Sequence, residues 1–366
     1  MKIGNTTLIP QNIAPPGTRN AAIFDGNGRK ICDILLGNLA MPETGAKKYT
    51  VGLLSDTHTF ESGYSGNTER ITDSQADLTR AISYFSGVAD ITCVCGDLGE
   101  YNQALPKHKE IVVANKGTMD VFEIAGNHEH YIYPDGVESV LTSDEIKAYT
   151  GYPLYYTVSN QPTDEAKRNY YSAVLSNDDV FIMVGAVRWS AVFNSETIRW
   201  LYETLNENRN KRCFLFVHCF LKGAQYCGDS TGIINTVDMT AAHKNVFLSL
   251  LKHYKNVIYF HGHSHVMGQM QEYTQSLANP LPANYDFSCG VHSVHIPSCT
   301  VPRDISSGAR MEMPGESQGY LMDVYDNHIV LRCRDFVRDE FIPIATYCLD
   351  TARKTVESKA ASDFGL

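Results

Sequence analysis

Six stretches of the chain are short apolar runs that end in glycine or a polar residue: "YTVGLLSD" (Tyr49–Asp56), "DITCVCGD", "VFEIAGN", "VFIMVGA", "CFLFVH" and "NVIYFHG". Apolar runs of this length, without polar alternation, predict strands buried on both faces. Between the first two, "DSQADLTRAISYFSG" carries Leu78, Ala81, Ile82 and Phe85 at helical spacing, with Asp73 as the expected N-cap. "SETIRWLYETLNENR" repeats the pattern with Ile198, Leu201, Tyr202 and Leu205, and "TAAHKNVFLSLLKHY" with Val246, Leu250 and Leu251. Alternation of strands and helices predicts an α/β fold with helices packed on sheet faces. Towards the C-terminus "SVHIPS", "QGYLMDVYD" and "HIVLRCRDF" follow one another without a long helix, which predicts a more antiparallel section of sheet.

The first 48 residues stand apart from this pattern. "NAAIFDGNGRKICDILLG" predicts a β-hairpin turning at Asp25–Gly28, so residues 1–48 read as an N-terminal β extension. Residues 49–350 form the body of the protein, and 351–366, ending "KAASDFGL", are expected to be a frayed tail.

Composition changes the picture only modestly. With 366 residues, 43% hydrophobic and 20% charged, the chain has ample core for a large α/β domain. Its net charge of -10 argues against extended duplex nucleic acid as a partner. The opening "MKIGNTTLIPQNIAPPG" has no long apolar run, so neither a secretory signal nor a membrane span is expected. Ten cysteines include no CxxC pair, and Cys93, Cys95 and Cys213 lie inside apolar runs, which fits a reduced, cytoplasmic protein.

The ends of the apolar runs carry the chemistry. "VIYFHGHSHVMG" places His261, His263 and His265 at every second position, a spacing that aims all three imidazoles one way on a strand, with Gly262 allowing a bend. The other runs end in Asp56 and His58, in Asp97, in Asn127 and His128, and in His218. Ligands of open α/β sheets bind just beyond the carboxyl ends of strands, so these side chains are expected on one rim. Imidazole, carboxylate and amide donors without thiolate suit manganese, iron or zinc, manganese above the others. Asp56, His58, Asp97, Asn127, His218, His263 and His265 are too many for one ion with an open position and suit two ions sharing a carboxylate. Such a site attracts phosphate and can generate hydroxide near neutral pH.

Taken in order, D-x-H at Asp56–His58, G-D at Gly96–Asp97, G-N-H-E at Gly126–Glu129, the lone His218 and G-H-x-H at Gly262–His265 resemble the calcineurin-like metallophosphoesterases. The resemblance implies a four-layer α/β/β/α sandwich with a dinuclear centre. It implies that one ion is held by Asp56, His58 and His265, the other by Asn127, His218 and His263, and that Asp97 bridges them. It casts His128 as a catalytic, phosphate-facing histidine and gives Glu100 the place of an acid partnering it, where the family more often has Asp. The purple acid phosphatase branch would want Tyr at position 100, so iron–tyrosinate chemistry is not expected; Tyr101 is one residue out of place. His261 matches no ligand position and is expected to be structural or to support the ligands.

The function implied is hydrolysis of a small phosphomonoester or phosphodiester, cyclic nucleotides included, by a metal-bound hydroxide. Two other readings stay open. One is a nuclease on short or single-stranded nucleic acid; the other is a metal-loaded structural or binding protein of a phage-like assembly. His292 and His295 read as packed or rim residues, and Arg188 and Arg303 as phosphate clamps or ordinary surface arginines. Cys219–Asp238 reads as a loop shaping a substrate pocket. The oligomeric state is not legible.

Overall fold

In the computed structural model the described residues are 46–60, 68–130, 170–174, 178–187, 192–219, 241–270, 289–304, 311–351 and 355–366, together with short strands outside these ranges. The six apolar runs become the strands β1 (Tyr49–Leu54), β2 (Ile91–Cys95), β3 (Asp120–Ile124), β5 (Asp179–Val184), β6 (Arg212–Val217) and β7 (Val257–His261), joined by β4 (Tyr170–Val174), which was not expected, and by β8 (His292–His295) from "SVHIPS". The C-terminal section supplies β9 (Gln318–Val324), β10 (His328–Asp335) and β11 (Glu340–Asp350).

These strands form two sheets. In the first, β1, β2 and β3 run parallel, and β9, β10 and β11 continue antiparallel from the free side of β1. In the second, β5, β6, β7 and β8 run parallel, with β4 antiparallel at the edge. The six apolar runs therefore divide between two sheets, three to each.

Strand alternation explains how the sheets stack. Val51, Leu53, Cys93, Cys95, Phe122 and Ile124 share one core with Phe181, Met183, Phe214, Phe216, Ile258 and Phe260 between the sheets. The opposite face of the first sheet, with Leu54, Val94 and Val121, packs on helices α1 (Thr68–Val88) and α2 (Leu105–Asn115) through Leu78, Ile82, Phe85, Leu105 and Val112. The outer face of the second sheet packs on α3 (Ser195–Glu207) and α4 (Ala241–His253) through Ile198, Leu201, Leu205, Phe247 and Leu250. This is the four-layer α/β/β/α sandwich. Each buried Leu or Phe contributes about 1.5–3 kcal/mol of apolar burial, which makes the three cores the main source of stability.

Several local expectations need correction. Helix α1 begins at Thr68, so Asp73 lies inside it and caps nothing; Thr68–Thr72 contains no Gly or Pro to stop the helix. Strand β11 was not expected, because Pro343 interrupts its apolar pattern. The register between β10 and β11 slips between Arg332 and Cys333, and Pro343 falls in that irregular stretch, where a missing N–H costs no ladder bond. The tail is docked, not frayed. Phe364 is buried with its ring 5.7 Å from Tyr202 and 6.1 Å from Tyr254, and Tyr202 donates to the carbonyl of Lys359. Ala21–Phe24 and Lys30–Ile34 do pair antiparallel, and Ala21–Phe24 runs parallel to β11. The turn at Asp25–Gly28, Arg188 and residues 220–238 lie outside the described residues.

A buried ionic clamp joins the sheets at the end where the parallel strands begin. Arg212 meets both oxygens of Asp179, at 2.9 and 3.0 Å, and donates to the Tyr325 carbonyl and the Thr351 hydroxyl. Tyr49 of the first sheet donates to the same carboxylate at 2.9 Å. Both Arg212 and Asp179 are buried, so removing one leaves the other charge stranded. Arg212→Met should cost about 3–5 kcal/mol in denaturant unfolding, and Arg212→Met combined with Asp179→Leu much less.

Candidate metal centre

The carboxyl ends of the parallel strands of both sheets meet at the opposite end of the sandwich. Asp56 and His58 follow β1, Asp97 follows β2, and Asn127 and His128 follow β3. His218 follows β6, and His263 and His265 follow β7. Hydrogen bonds stitch the loops into one rim. Asp56, His58 and Thr59 donate their amides to the carbonyls of Gly96, Asp97 and Leu98. Between the sheets, the imidazole of His218 donates through Nδ1 to the Cys95 carbonyl at 2.6 Å, and the amide of His263 donates to Asp56 at 3.0 Å.

The backbone at these positions is unusual. Six non-glycine residues among those described have positive φ, and five of them are Asp56, His58, Asp97, His263 and His265, at 52°, 36°, 50°, 71° and 61°. Left-handed backbone is unfavourable for residues with a Cβ, of order 1–3 kcal/mol each, and persists where surrounding bonds over-determine it. The chain thus turns sharply after β1, β2 and β7, setting these side chains over the rim.

The three histidines expected on one face of β7 do not share it. The strand ends at His261, which is buried with its Nε2 3.2 Å from the Ser293 hydroxyl; burial pulls its pKa down to about 3. His263 and His265 lie beyond the strand in left-handed turns and face the rim. Gly262 permits this because a Cβ there would lie 1.8 Å from the Ser55 hydroxyl and 2.7 Å from an oxygen of Asp56. Gly126 is equally confined, its would-be Cβ lying 2.2 Å from Asp97.

Asp97 is central. Its Oδ1 accepts the amide of His128 at 3.0 Å, while Oδ2 lies 3.1 Å from Nε2 of His218, 3.6 Å from Nε2 of His58 and 4.0 Å from Nε2 of His128. The Nε2 of His265 is 3.1 Å from Oδ1 of Asp56 and 3.1 Å from Nε2 of His58. Asp56, His58, Asp97 and His265 thus offer donor atoms within 4.8 Å of one another, and His218 and His263 form a second such group with Cys219. Oδ2 of Asp97, Nε2 of His218 and both amide atoms of Asn127 are buried and lack hydrogen-bond partners. Buried polar atoms are ordinarily satisfied. Orphans of this donor chemistry fit a pair of divalent cations.

Electrostatics divide the ligand set. Burial opposes ionisation of Asp56 and Asp97, yet the histidines against them hold both carboxyls well below the usual range. Burial opposes charge on His218 as well, but the Asp97 carboxylate pushes it up to about 10. Burial pulls His263 down to about 3 and His265 to about 4, leaving both neutral and able to donate a lone pair at pH 7.

Glu100 lies against two histidines, the expected His128 and, more closely, His58: Oε2 lies 2.7 Å from Nδ1 of His58 and 3.7 Å from Nδ1 of His128. His128 is instead held by the backbone carbonyl of Glu100, 3.0 Å from Nδ1. Desolvation works against a charged His58, but Glu100 outweighs it and holds the imidazole above its ordinary value. A carboxylate behind a histidine fixes its tautomer and turns the other nitrogen, Nε2, towards the centre. Sequence reasoning also assigned nothing to Glu129, which is buried and accepts the amides of Gly99 and Gly126, tying the loops after β2 and β3 together. Burial and the nearby Asp97 push its pKa up to about 8. Its place in G-N-H-E was the available signal. His292 bonds Tyr285 and the Asp350 carbonyl, and His295 meets Ser264; both are packed residues. Arg303 approaches Glu312 at 3.8 Å.

Residues 49–267 match the family model of the calcineurin-like phosphoesterases, and the chain belongs to that family. No curated protein matches it. Among solved structures it is similar to a purple acid phosphatase from yellow lupin (Lupinus luteus) seeds, with TM-score 0.52 and 13% identity over 88% of this chain and 59% of that one. It is similar also to PhoD, with TM-score 0.51 and 13% identity over 88% of this chain and 74% of that one. The chain thus spans well under two thirds of the lupin enzyme, and these likenesses speak for the fold. No helix among the described residues is long and apolar enough to cross a membrane.

Gly262→Ala should fold yet lose divalent metal, because the new methyl displaces Ser55 and Asp56; metal analysis of the purified variant checks this. Glu100→Gln should weaken one of two metal-binding steps by about 10–100-fold in calorimetry, the range typical for a carboxylate behind a liganding histidine.

Proposed function

We propose that the chain is a metal-dependent hydrolase of phosphoric esters. The observation that carries this reading is the set of buried, unpartnered donor atoms on Asp97, Asn127 and His218, converging with Asp56, His58 and His265 on one rim. Asp56, His58 and His265 would hold one ion, Asn127, His218 and His263 the other, and Asp97 would lie between them. When bound, two such ions supply Lewis acidity towards phosphoryl oxygens and activate water near neutral pH. The donor set favours manganese, with iron and zinc as the other candidates.

The protein's own groups divide the remaining work. His128 keeps partial exposure, 22% of its side chain, beside the enclosed Asp97, 1% exposed. Because the Glu100 carbonyl can only accept, Nδ1 of His128 carries hydrogen and Nε2 is the atom that meets solvent-side chemistry. A protonated Nε2 is suited to stabilise substrate oxygens or to protonate a leaving group. Glu100 acts through His58, not on substrate. The substrate is a small phosphomonoester or phosphodiester, cyclic nucleotides among the candidates; the net charge of -10 favours this over extended duplex nucleic acid. Cys93, Cys95, Cys213, Cys219, Cys299 and Cys333 are buried free thiols, which supports a reducing, cytoplasmic setting.

A metal-supplemented screen of aryl phosphate mono- and diesters tests the reading. Hydrolysis should vanish on exhaustive chelation and return best with manganese; turnover that persists in verified metal-free protein removes it. His128→Ala should keep its metal and lose about a hundredfold to ten-thousandfold in rate on poor leaving groups, with a smaller loss on good ones. A loss independent of the leaving group would assign His128 to electrostatic positioning alone.

A further inference from the structure

Beneath the rim lies a polar chain that the proposed chemistry does not use. His108 of α2 and Glu123 of β3 are both wholly buried, with Nε2 of His108 2.9 Å from Oε1 of Glu123. The other nitrogen, Nδ1, lies 3.2 Å from the hydroxyl of Thr59 and 3.4 Å from that of Thr57. Thr57 and Thr59 flank His58, whose backbone sits at φ 36°. The Thr57 hydroxyl donates to the Leu98 carbonyl at 2.8 Å, which leaves the Thr59 hydroxyl as the donor to His108. At the far end, the backbone of Glu123 is fixed by Tyr171, whose hydroxyl accepts its amide and donates to its carbonyl.

We propose that His108 and Glu123 are positioning residues that hold the Thr57–Thr59 turn, and through it the metal-facing imidazole of His58, in place. This rests on the dinuclear reading above. The polarity of the chain is self-consistent. The Glu123 carboxylate accepts Nε2–H, so Nδ1 must accept the Thr59 hydroxyl, and one tautomer is selected. Stability alone is a poor reason for the pair. Oε2 of Glu123 is buried without a partner, and well-packed apolar residues in place of a buried hydrogen-bonded pair are often as stable or more so. What the pair supplies is direction, because it pins the residue next to a ligand whose backbone would otherwise relax from the left-handed region.

The test is calorimetric titration of the metal-free full chain with Mn²⁺ alone, alongside the melting temperature of each metal-free variant. Thr59→Val exchanges the hydroxyl for a methyl and should weaken one of the two binding steps about tenfold, with the melting temperature little changed. Thr59→Ser keeps the hydroxyl and should retain the parental affinities. His108→Leu combined with Glu123→Leu removes both members of the buried pair together and should weaken the same step. Parental affinities in Thr59→Val, or an equal loss in Thr59→Ser, overturn the positioning role while leaving the dinuclear reading intact. A parent chain that takes up no metal overturns both.

Discussion

Two carboxylates buried side by side set the terms for this protein. Asp56 and Asp97 are almost completely enclosed, and each is held ionised by imidazoles lying within 4 Å. Burying one anion costs several kcal/mol even after relaxation, and a second beside it adds repulsion. Histidines offset part of this, but they meet the carboxylates at distances and angles that leave Oδ2 of Asp97 and Nε2 of His218 without hydrogen bonds. The arrangement is incomplete as a salt-bridge network, and its donor atoms are of a kind that could hold cations.

Holding that cage requires strain. Five of the ligand positions adopt left-handed backbone, and the bonds that keep them there come from both sheets: loop amides to Gly96, Asp97 and Leu98, His218 to Cys95, and His263 to Asp56. The two sheets must therefore keep their relative position to within a fraction of an ångström at this end. The dense core between them, with rings such as Phe181 and Phe214 packed edge to face 5.3 Å apart, and the Arg212–Asp179–Tyr49 clamp at the other end supply that rigidity. Rim geometry here depends on packing between the sheets and at their far end, because the rim residues themselves sit on short turns with little structure of their own.

Much of this was legible in the residues. Strands buried on both faces carry a continuous apolar signal, and polar residues at their ends are conspicuous against it, so the residues that meet at the rim could be picked out before any geometry was known. What could not be read was partnership. Alternation along "FHGHSH" predicted three co-directed imidazoles, but the strand stops at His261, and only the steric confinement of Gly262 against Ser55 and Asp56 explains why. Glu100 stands between two histidines, and its choice of His58 over His128 is decided by the fold of the loop after β2. Strand β11 was hidden because Pro343 breaks a pattern that the sheet tolerates as an irregularity, and helix α2 because its apolar positions are few. Phe364 looked like part of a polar tail, yet one aromatic ring against Tyr202 and Tyr254 is enough to dock it.

The contrast between the two ends of the sandwich makes the functional reading sharper. Asp179 is as buried as Asp56 and Asp97, and it is fully answered: a guanidinium meets both oxygens and a phenol adds a third bond. That is how this fold treats a carboxylate kept for structure. At the rim, the same fold sets neutral imidazoles and an amide, His263, His265 and Asn127, donors that hold cations and cannot replace them. Donor atoms left unpaired on Asp97, Asn127 and His218, inside a structure that answers Asp179 with full geometry, are the strongest physical reason for assigning the rim to a metal-dependent reaction.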